Sequence, residues 1–254
     1  MYRLCYDGTW KGMLTLIFES FEYKWHIAAI YKKPESIQNG LFDAMHEVIT
    51  NETKALRVWN ALRLKLPPNA LGDLYKVFLS EITQIEMTLC TAISFYFSGV
   101  DKPHLAYGRS DVLRIKQIAK MVDRERHRMK AFIRFSRQQD DLYGAMIEPD
   151  FNVLPLIRKH FSDRYADQRW LIYDVKRDYG IYYNLQEVEE VRVAFSKDFQ
   201  EHKMLLEHPE EKRYRNLWQQ YFKQVNIVER KNLKLHIQHV PRRYWKHLTE
   251  KQIL

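Results

Sequence analysis

Near the end of the chain, the segment PRRYWKHL (241–248) sets Arg242, Arg243 and Lys246 around Tyr244 and Trp245. Guanidinium and ammonium groups bind phosphate oxygens, and aromatic rings stack on unpaired bases. The segment also reads as an anchor, with Trp245 seated in a core while Arg242 and Lys246 extend outward along their stems. A second cationic row lies in residues 110–130. There Lys116, Lys120, Arg124, His127 and Arg128 recur at intervals that return to one side of a helix, and Arg134 follows just beyond. Ile115, Ile118, Val122 and Met129 fall on the opposite side. The spacing therefore predicts a helix buried along one stripe and cationic along the other, with Asp123 and Glu125 at the borders. Such a row matches a line of phosphates and releases their counterions on binding.

Carboxylates offer a different chemistry. Glu148 and Asp150 flank Pro149. Two carboxyl groups can divide general-acid and general-base roles where their environments separate their pKa values. Asp150 also stands just before a predicted helix, and capping that helix is its favoured reading. Asp7, in YDGT, is a turn residue first and a catalytic candidate second. Asp7 and Glu148 are thus weak catalytic candidates. His236 and His239 lie three apart on a predicted helix and could share a metal. No third ligand stands nearby, so imidazoles on a basic helix are the favoured reading and no metal is expected. The sequence contains no phosphate-cradling glycine loop, no nucleophile elbow and no His-Glu-x-x-His pattern.

The 254 residues include two cysteines, Cys5 and Cys90. Two distant thiols make neither a self-contained iron–sulfur cluster nor a Cys-rich zinc site, and they give no disulfide framework. A reducing cytoplasm and no cofactor are expected. The first ten residues carry no cleavable apolar leader. The most apolar stretch, 77–97, contains Glu81 and Glu86, so it reads as a buried or amphipathic helix, and no membrane partner is expected. Eight Gly and eight Pro argue against low complexity. The formal net charge is +9, unevenly spread: residues 1–100 balance to zero, 101–137 carry +7, 138–211 carry −7 and 212–254 carry +9. Two basic blocks around an acidic middle point to a polyanion, unless the blocks simply face each other.

These side chains must be positioned by helices around a small antiparallel sheet, an α+β fold with a helix-rich N-terminal part. Strands are predicted at 2–6 and 27–31. Helices are predicted at 10–24, with Thr9 as cap, at 52–64, and at 71–97 after the break at Pro67-Pro68. A polar loop ends at Gly40-Leu41. Beyond the basic helix, residues 132–135 and 142–147 alternate as a strand pair, and 170–175 pairs with 181–183. Helices are expected at 153–165, 187–199, 213–225 and 229–239, with a loop at 201–212. One domain over 1–254 is expected, with a possible subdivision into a helix-rich part, 1–100, and a basic α+β part, 101–254.

The runs YDGTWKGMLTLIFESF, KALRVWNALR, FLSE, RERHRMKAFIRF, EPDFNVLPLIRKHFSDRYADQRWLIYD and LWQQYFKQVNIVERKNLKLHIQHVPRRYWKHLTE follow in this order over nearly the whole chain. Together they resemble a bacterial family of unknown function labelled a probable DNA metabolism protein. The resemblance implies a module encoded beside a radical-SAM DNA modification or repair protein, or fused to a uracil-DNA glycosylase-like domain. It implies no catalytic residue, and any iron–sulfur chemistry would belong to the partner. Two places depart from the family pattern. Asn226-Ile227-Val228-Glu229-Arg230 stands where the family reads Asn-Pro-Ala-Arg, and Val240 and Thr249 replace Met and Pro in the closing motif.

The expected function is a DNA-binding accessory protein of a repair or modification system, working with a partner enzyme. Its phosphate contacts would be Arg124, Arg128 and Arg134, extended by Arg242, Arg243 and Lys246, with Tyr244 or Trp245 beside an unpaired site. The alternatives are an enzyme acting on damaged or modified DNA through Asp7 or Glu148, and an interaction scaffold whose basic face docks on an acidic protein.

Overall fold

A computed structural model describes residues 1–32, 45–192, 208–225 and 232–251. The chain divides into two compact units, 1–123 and 124–254.

The first unit opens with β1 (Tyr2–Tyr6), then turns at Gly8, whose φ of +79° suits a residue without Cβ. Thr9 caps α1 (Trp10–Glu22), its hydroxyl accepting from the Gly12 N–H. Strands β2 (Ile27–Lys32) and β3 (Met45–Glu47) both run parallel to β1, in the order β2-β1-β3. A helix separates β1 from β2, and that crossover allows the parallel pairing. Leu4 and Tyr6 of the central strand and Met13, Leu16 and Ile17 of α1 are buried.

Helix α2 (Glu52–Lys65) is capped by Asn51, which accepts from the Lys54 N–H. The single helix expected over 71–97 is two: α3 (Pro68–Leu79) and α4 (Ile85–Tyr96). Ser80 turns its hydroxyl back onto the Val77 carbonyl at 2.6 Å, and Glu81 and Gln84 take left-handed φ values of 53° and 61°. Both features break the helical ladder. Pro68, expected to be part of the break itself, instead sits in the first turn of α3, where a missing N–H costs nothing. Helix α5 (Ser110–Phe132) buries Val112, Ile115, Ile118, Val122 and Met129, as the spacing predicts.

The second unit holds a five-stranded sheet, β4 (Ser136–Arg137), β5 (Tyr143–Ile147), β6 (Trp170–Asp174), β7 (Tyr179–Tyr183) and β8 (Val188–Val191), in that order. All pairs are antiparallel except β5 with β6, which α6 (Leu154–Arg164) connects. The strand expected at 132–135 is displaced: Phe132 closes α5, and pairing starts at Ser136 opposite Gly144. The helix expected from 187 is strand β8 over its first residues. The Asn184 side chain accepts from the N–H groups of Gln186 and Glu187, which builds a turn and folds the chain back on β7. Residues 193–199 of that expected helix lie outside the described residues, as do the loop ending at Gly40-Leu41 and most of the loop expected at 201–212. Helix α7 (Glu211–Val225) and the short α8 (Leu233–His239) follow, and the closing motif forms a 3-10 helix, Arg242–His247. The start of the helix expected at 229 also falls outside the described residues.

Helices around small sheets, with a helix-rich first hundred residues, make this an α+β fold; one sheet is wholly parallel and the other mixed. Among the described residues no helix is long and apolar enough to cross a membrane.

Candidate functional site

In the second unit the closing motif is tied to α5 by a buried carboxylate. Glu125 is 1% exposed and accepts from the Tyr244 hydroxyl, from Arg243 at 3.2 Å and from the Asp150 backbone N–H at 3.0 Å. Arg128 stands 3.8 Å away, one turn along α5. Tyr244 is 2% exposed, with its ring 5.4 Å from that of Phe132. Burial, and then the Glu125 carboxylate, push the Tyr244 hydroxyl far above its usual pKa, so it remains a donor. Tyr244 is therefore the anchor of the motif, and its ring presents no open face to a base.

Asp150 does not cap α6, whose N-cap is Val153 with no side-chain bond. Its carboxylate instead meets Arg243 at 2.7 Å. Glu148 binds Lys246 and lies 4.0 Å from the His247 imidazole. Glu148, Asp150, Arg243 and Lys246, with Pro149, Lys176 and Arg242, line a recess of about 430 Å³. Beneath it Arg177 pairs with the buried Asp174 at 2.7 Å and donates to the carbonyls of Pro149 and Asp150. Burial raises the pKa of Asp174 in spite of that pairing. Three segments distant in sequence thus meet in a recess where four cations, Lys176, Arg242, Arg243 and Lys246, stand with two carboxylates, Glu148 and Asp150.

A larger cleft in the same unit, of about 830 Å³, has a different character. Its cations are Lys130 from α5, Arg134, Arg164 from α6 and Arg215 from α7, and among the described residues one acid, Glu211, lines it. Packed rings form one part of its wall: Phe135 lies 5.7 Å from Phe161 and 5.4 Å from Tyr165, and Trp170 lies 6.1 Å from Phe161. Tyr214 and Trp218 of α7 form another. The Trp170 indole N–H is buried without a hydrogen-bond partner among the described residues. His127 and His160 also line the cleft. Burial, and then the charges of Lys130 and Arg164, hold the His160 imidazole below its usual pKa, so it is neutral at neutral pH. Arg134 pairs with Glu250 at 2.8 Å, and the Trp218 indole N–H donates to the same carboxylate at 3.0 Å. Burial would raise the Glu250 pKa, but Arg134 and Trp218 together hold it below the usual range.

The remaining expected site residues are scattered. Lys116 lies in the first unit and pairs with Asp73 at 2.8 Å. Lys120 and Arg124 are exposed and make no ion pair among the described residues. Arg242 is exposed, its guanidinium 5.8 Å from the Trp245 ring. Trp245 is half-buried and donates to the Val240 carbonyl at 3.0 Å. Asp7 belongs to the first unit, where it accepts from the backbone and hydroxyl of Thr9 and from the Thr50 hydroxyl at 2.7 Å. Partial burial would raise its pKa, but those bonds hold it below the usual value. Asp7 thus fixes the turn into α1. Among the described residues no three His, Cys, Asp or Glu side chains come together to hold a metal ion.

Lys130, Arg164, Arg215, Tyr214, Trp218 and Glu125 were not singled out by sequence reasoning. Glu125 carried a signal: it stands three residues after Val122 and four before Met129, inside the apolar stripe. Tyr214, Leu217, Trp218 and Tyr221 also share one helical face by spacing.

The structure is that of an α+β protein whose second unit carries a cationic, ring-lined cleft. The chain belongs to the DUF4130 family, a domain of unknown function, matched over residues 83–250. That span contains Glu125 and every residue lining the cleft, and it excludes Asp7. No curated protein matches the chain.

Proposed function

We propose that this protein is a DNA-binding accessory component of a DNA repair or modification system, and that it holds DNA in the cleft of its second unit. The observation that carries the reading is the cleft itself, where Lys130, Arg164 and Arg215, with Arg134 held by Glu250, stand among aromatic walls. Cations supply the salt-dependent affinity for phosphates, and rings supply surface for bases. The closing motif contributes chiefly as the structure that holds α5 through Glu125, with Arg242 left exposed at its edge. The likeness of the sequence to the DNA-metabolism family supports the partner assignment, in which a radical-SAM protein provides the chemistry. The two catalytic candidates favour an accessory role, because Asp7 is engaged by Thr9 and Thr50 and Glu148 by Lys246.

The test is binding of a labelled oligonucleotide over a salt series. Three phosphate contacts, from Lys130, Arg164 and Arg215, predict a log–log slope of about −2 for a single strand. The double variant Lys130→Glu, Arg164→Glu should bind at least about tenfold more weakly with a visibly shallower slope. Unchanged affinity in that variant would remove the cleft from the DNA site.

A further inference from the structure

Helix α7 carries Tyr214, Leu217, Trp218 and Tyr221 at i, i+3, i+4 and i+7, which places them on one face. A helix normally buries such a stripe. Here the four residues are 59%, 51%, 41% and 57% exposed. They line a shallow recess of about 520 Å³, and two of them, Tyr214 and Trp218, also line the main cleft. The apolar face is therefore a continuation of the cationic cleft, shared through two rings.

From this we infer that the exposed face of α7 is a stacking platform for unpaired bases, so that the cleft takes a single DNA strand in preference to duplex. The inference rests on the proposal that the cleft binds DNA, and it names the form of DNA. Three of the four side chains are rings. The rings of Trp218 and Tyr221 lie nearly parallel, with centroids 5.7 Å apart and planes inclined by 29°. Trp218 is held by its indole N–H on Glu250, so its polar edge is satisfied and its orientation fixed. The rise of an α-helix sets Tyr214 and Tyr221 about 10 Å apart along the axis, which gives room for two or three bases. Arg215 stands beside Tyr214 in the cleft wall, and Arg134 lies 5.9 Å from the Trp218 ring, so phosphates and bases of one strand find complementary partners side by side. Duplex bases are stacked on one another and show only their edges in the grooves. Flat rings on a helix face gain nothing from them. The cationic surroundings also favour a polyanion over an apolar protein surface as the occupant.

The experiment compares a fluorescein-labelled dT12 with a DNA hairpin of equal phosphate number, using the full chain and fluorescence anisotropy. The strand should bind at least about tenfold more tightly. Tyr214→Ala and Tyr221→Ala, both at exposed positions, should each weaken strand binding at least about fivefold while leaving the salt slope unchanged. Equal affinity for strand and hairpin, or wild-type affinity when Tyr214→Ala and Tyr221→Ala are combined, overturns this inference. If a steep salt slope persists in those cases, DNA binding by the cleft survives and only the stacking role falls. Absence of binding to both probes overturns the two together.

Discussion

The Tyr244 hydroxyl donates to Oε2 of Glu125 across 119 residues of sequence, and both groups are buried. The arrangement is asymmetric. Glu125 retains Arg243 and the Asp150 N–H when Tyr244 is shortened, whereas Tyr244 is held in place chiefly through its hydroxyl and its packing on Phe132. Removing a donor from a buried carboxylate leaves part of its desolvation uncompensated. Tyr244→Phe should therefore lower stability by about 1–3 kcal/mol, read as a fall in the urea midpoint without a change in m. A variant as stable as the wild type would mean that the Tyr244 hydroxyl adds nothing to the packing and ion pairs that hold the closing motif.

Gly12 is closely hemmed in by the turn that precedes α1. A Cβ at Gly12 would lie 2.1 Å from Asp7 Oδ1 and 2.8 Å from Thr50 Oγ1. No real Cβ approaches an oxygen so closely, and the Asp7 carboxylate cannot swing away without giving up Thr9 and Thr50. Gly12→Ala should destabilise the protein by about 1–3 kcal/mol, even though alanine is the better helix former. A rise in Tm would contradict the close approach.

The same carboxylate sets a pH dependence. Its folded-state pKa is depressed, so Asp7 contributes stability that is complete above its unfolded value near 3.8 and is lost as pH falls through the lower folded value. Asp7→Asn should therefore be less stable than the wild type at neutral pH. The gap in Tm should close as pH drops below about 4. A gap that persists unchanged to the acid limit would assign the loss to geometry instead of charge.

Local signals account for what the sequence made legible. The Thr9 cap, the apolar stripe of α5 and the hairpin between β6 and β7 are written in neighbouring residues, and they are observed. The break between α3 and α4 was hidden because Ser80–Gln84 contains neither Gly nor Pro, and its left-handed residues are an ordinary Glu and Gln. Strand β8 was hidden because its register comes from the Asn184 turn and from pairing with β7, neither of which follows helical or strand periodicity. The cleft was the least legible part. It is assembled from α5, β5, α6, β6, α7 and Thr249, and Arg164 and Arg215 stand far along the chain from Lys130 and Arg134. The charge blocks located the cationic material without revealing that Arg243, Lys246 and Arg134 each meet a carboxylate. Pairing of that kind is a property of tertiary structure, and it moves the candidate site from the closing motif to the α6 and α7 walls.

Arg134 and Glu250 give a prediction in which stability and affinity move in opposite directions. The pair is mostly buried, and Glu250 also holds the Trp218 indole. Glu250→Gln keeps an acceptor for Trp218 but leaves Arg134 without its counter-charge. Loss of a charge-assisted bond should cost about 1–3 kcal/mol of stability. The freed guanidinium still lines the cleft, and it would then count fully toward a bound phosphate. Affinity for a single strand should therefore rise a few-fold, with the salt slope steepening by about 0.7. Parallel measurement of the urea midpoint and of dT12 anisotropy reads both quantities on one preparation. Weaker binding together with lower stability would mean that Glu250 shapes the cleft and that Arg134 does not meet phosphate.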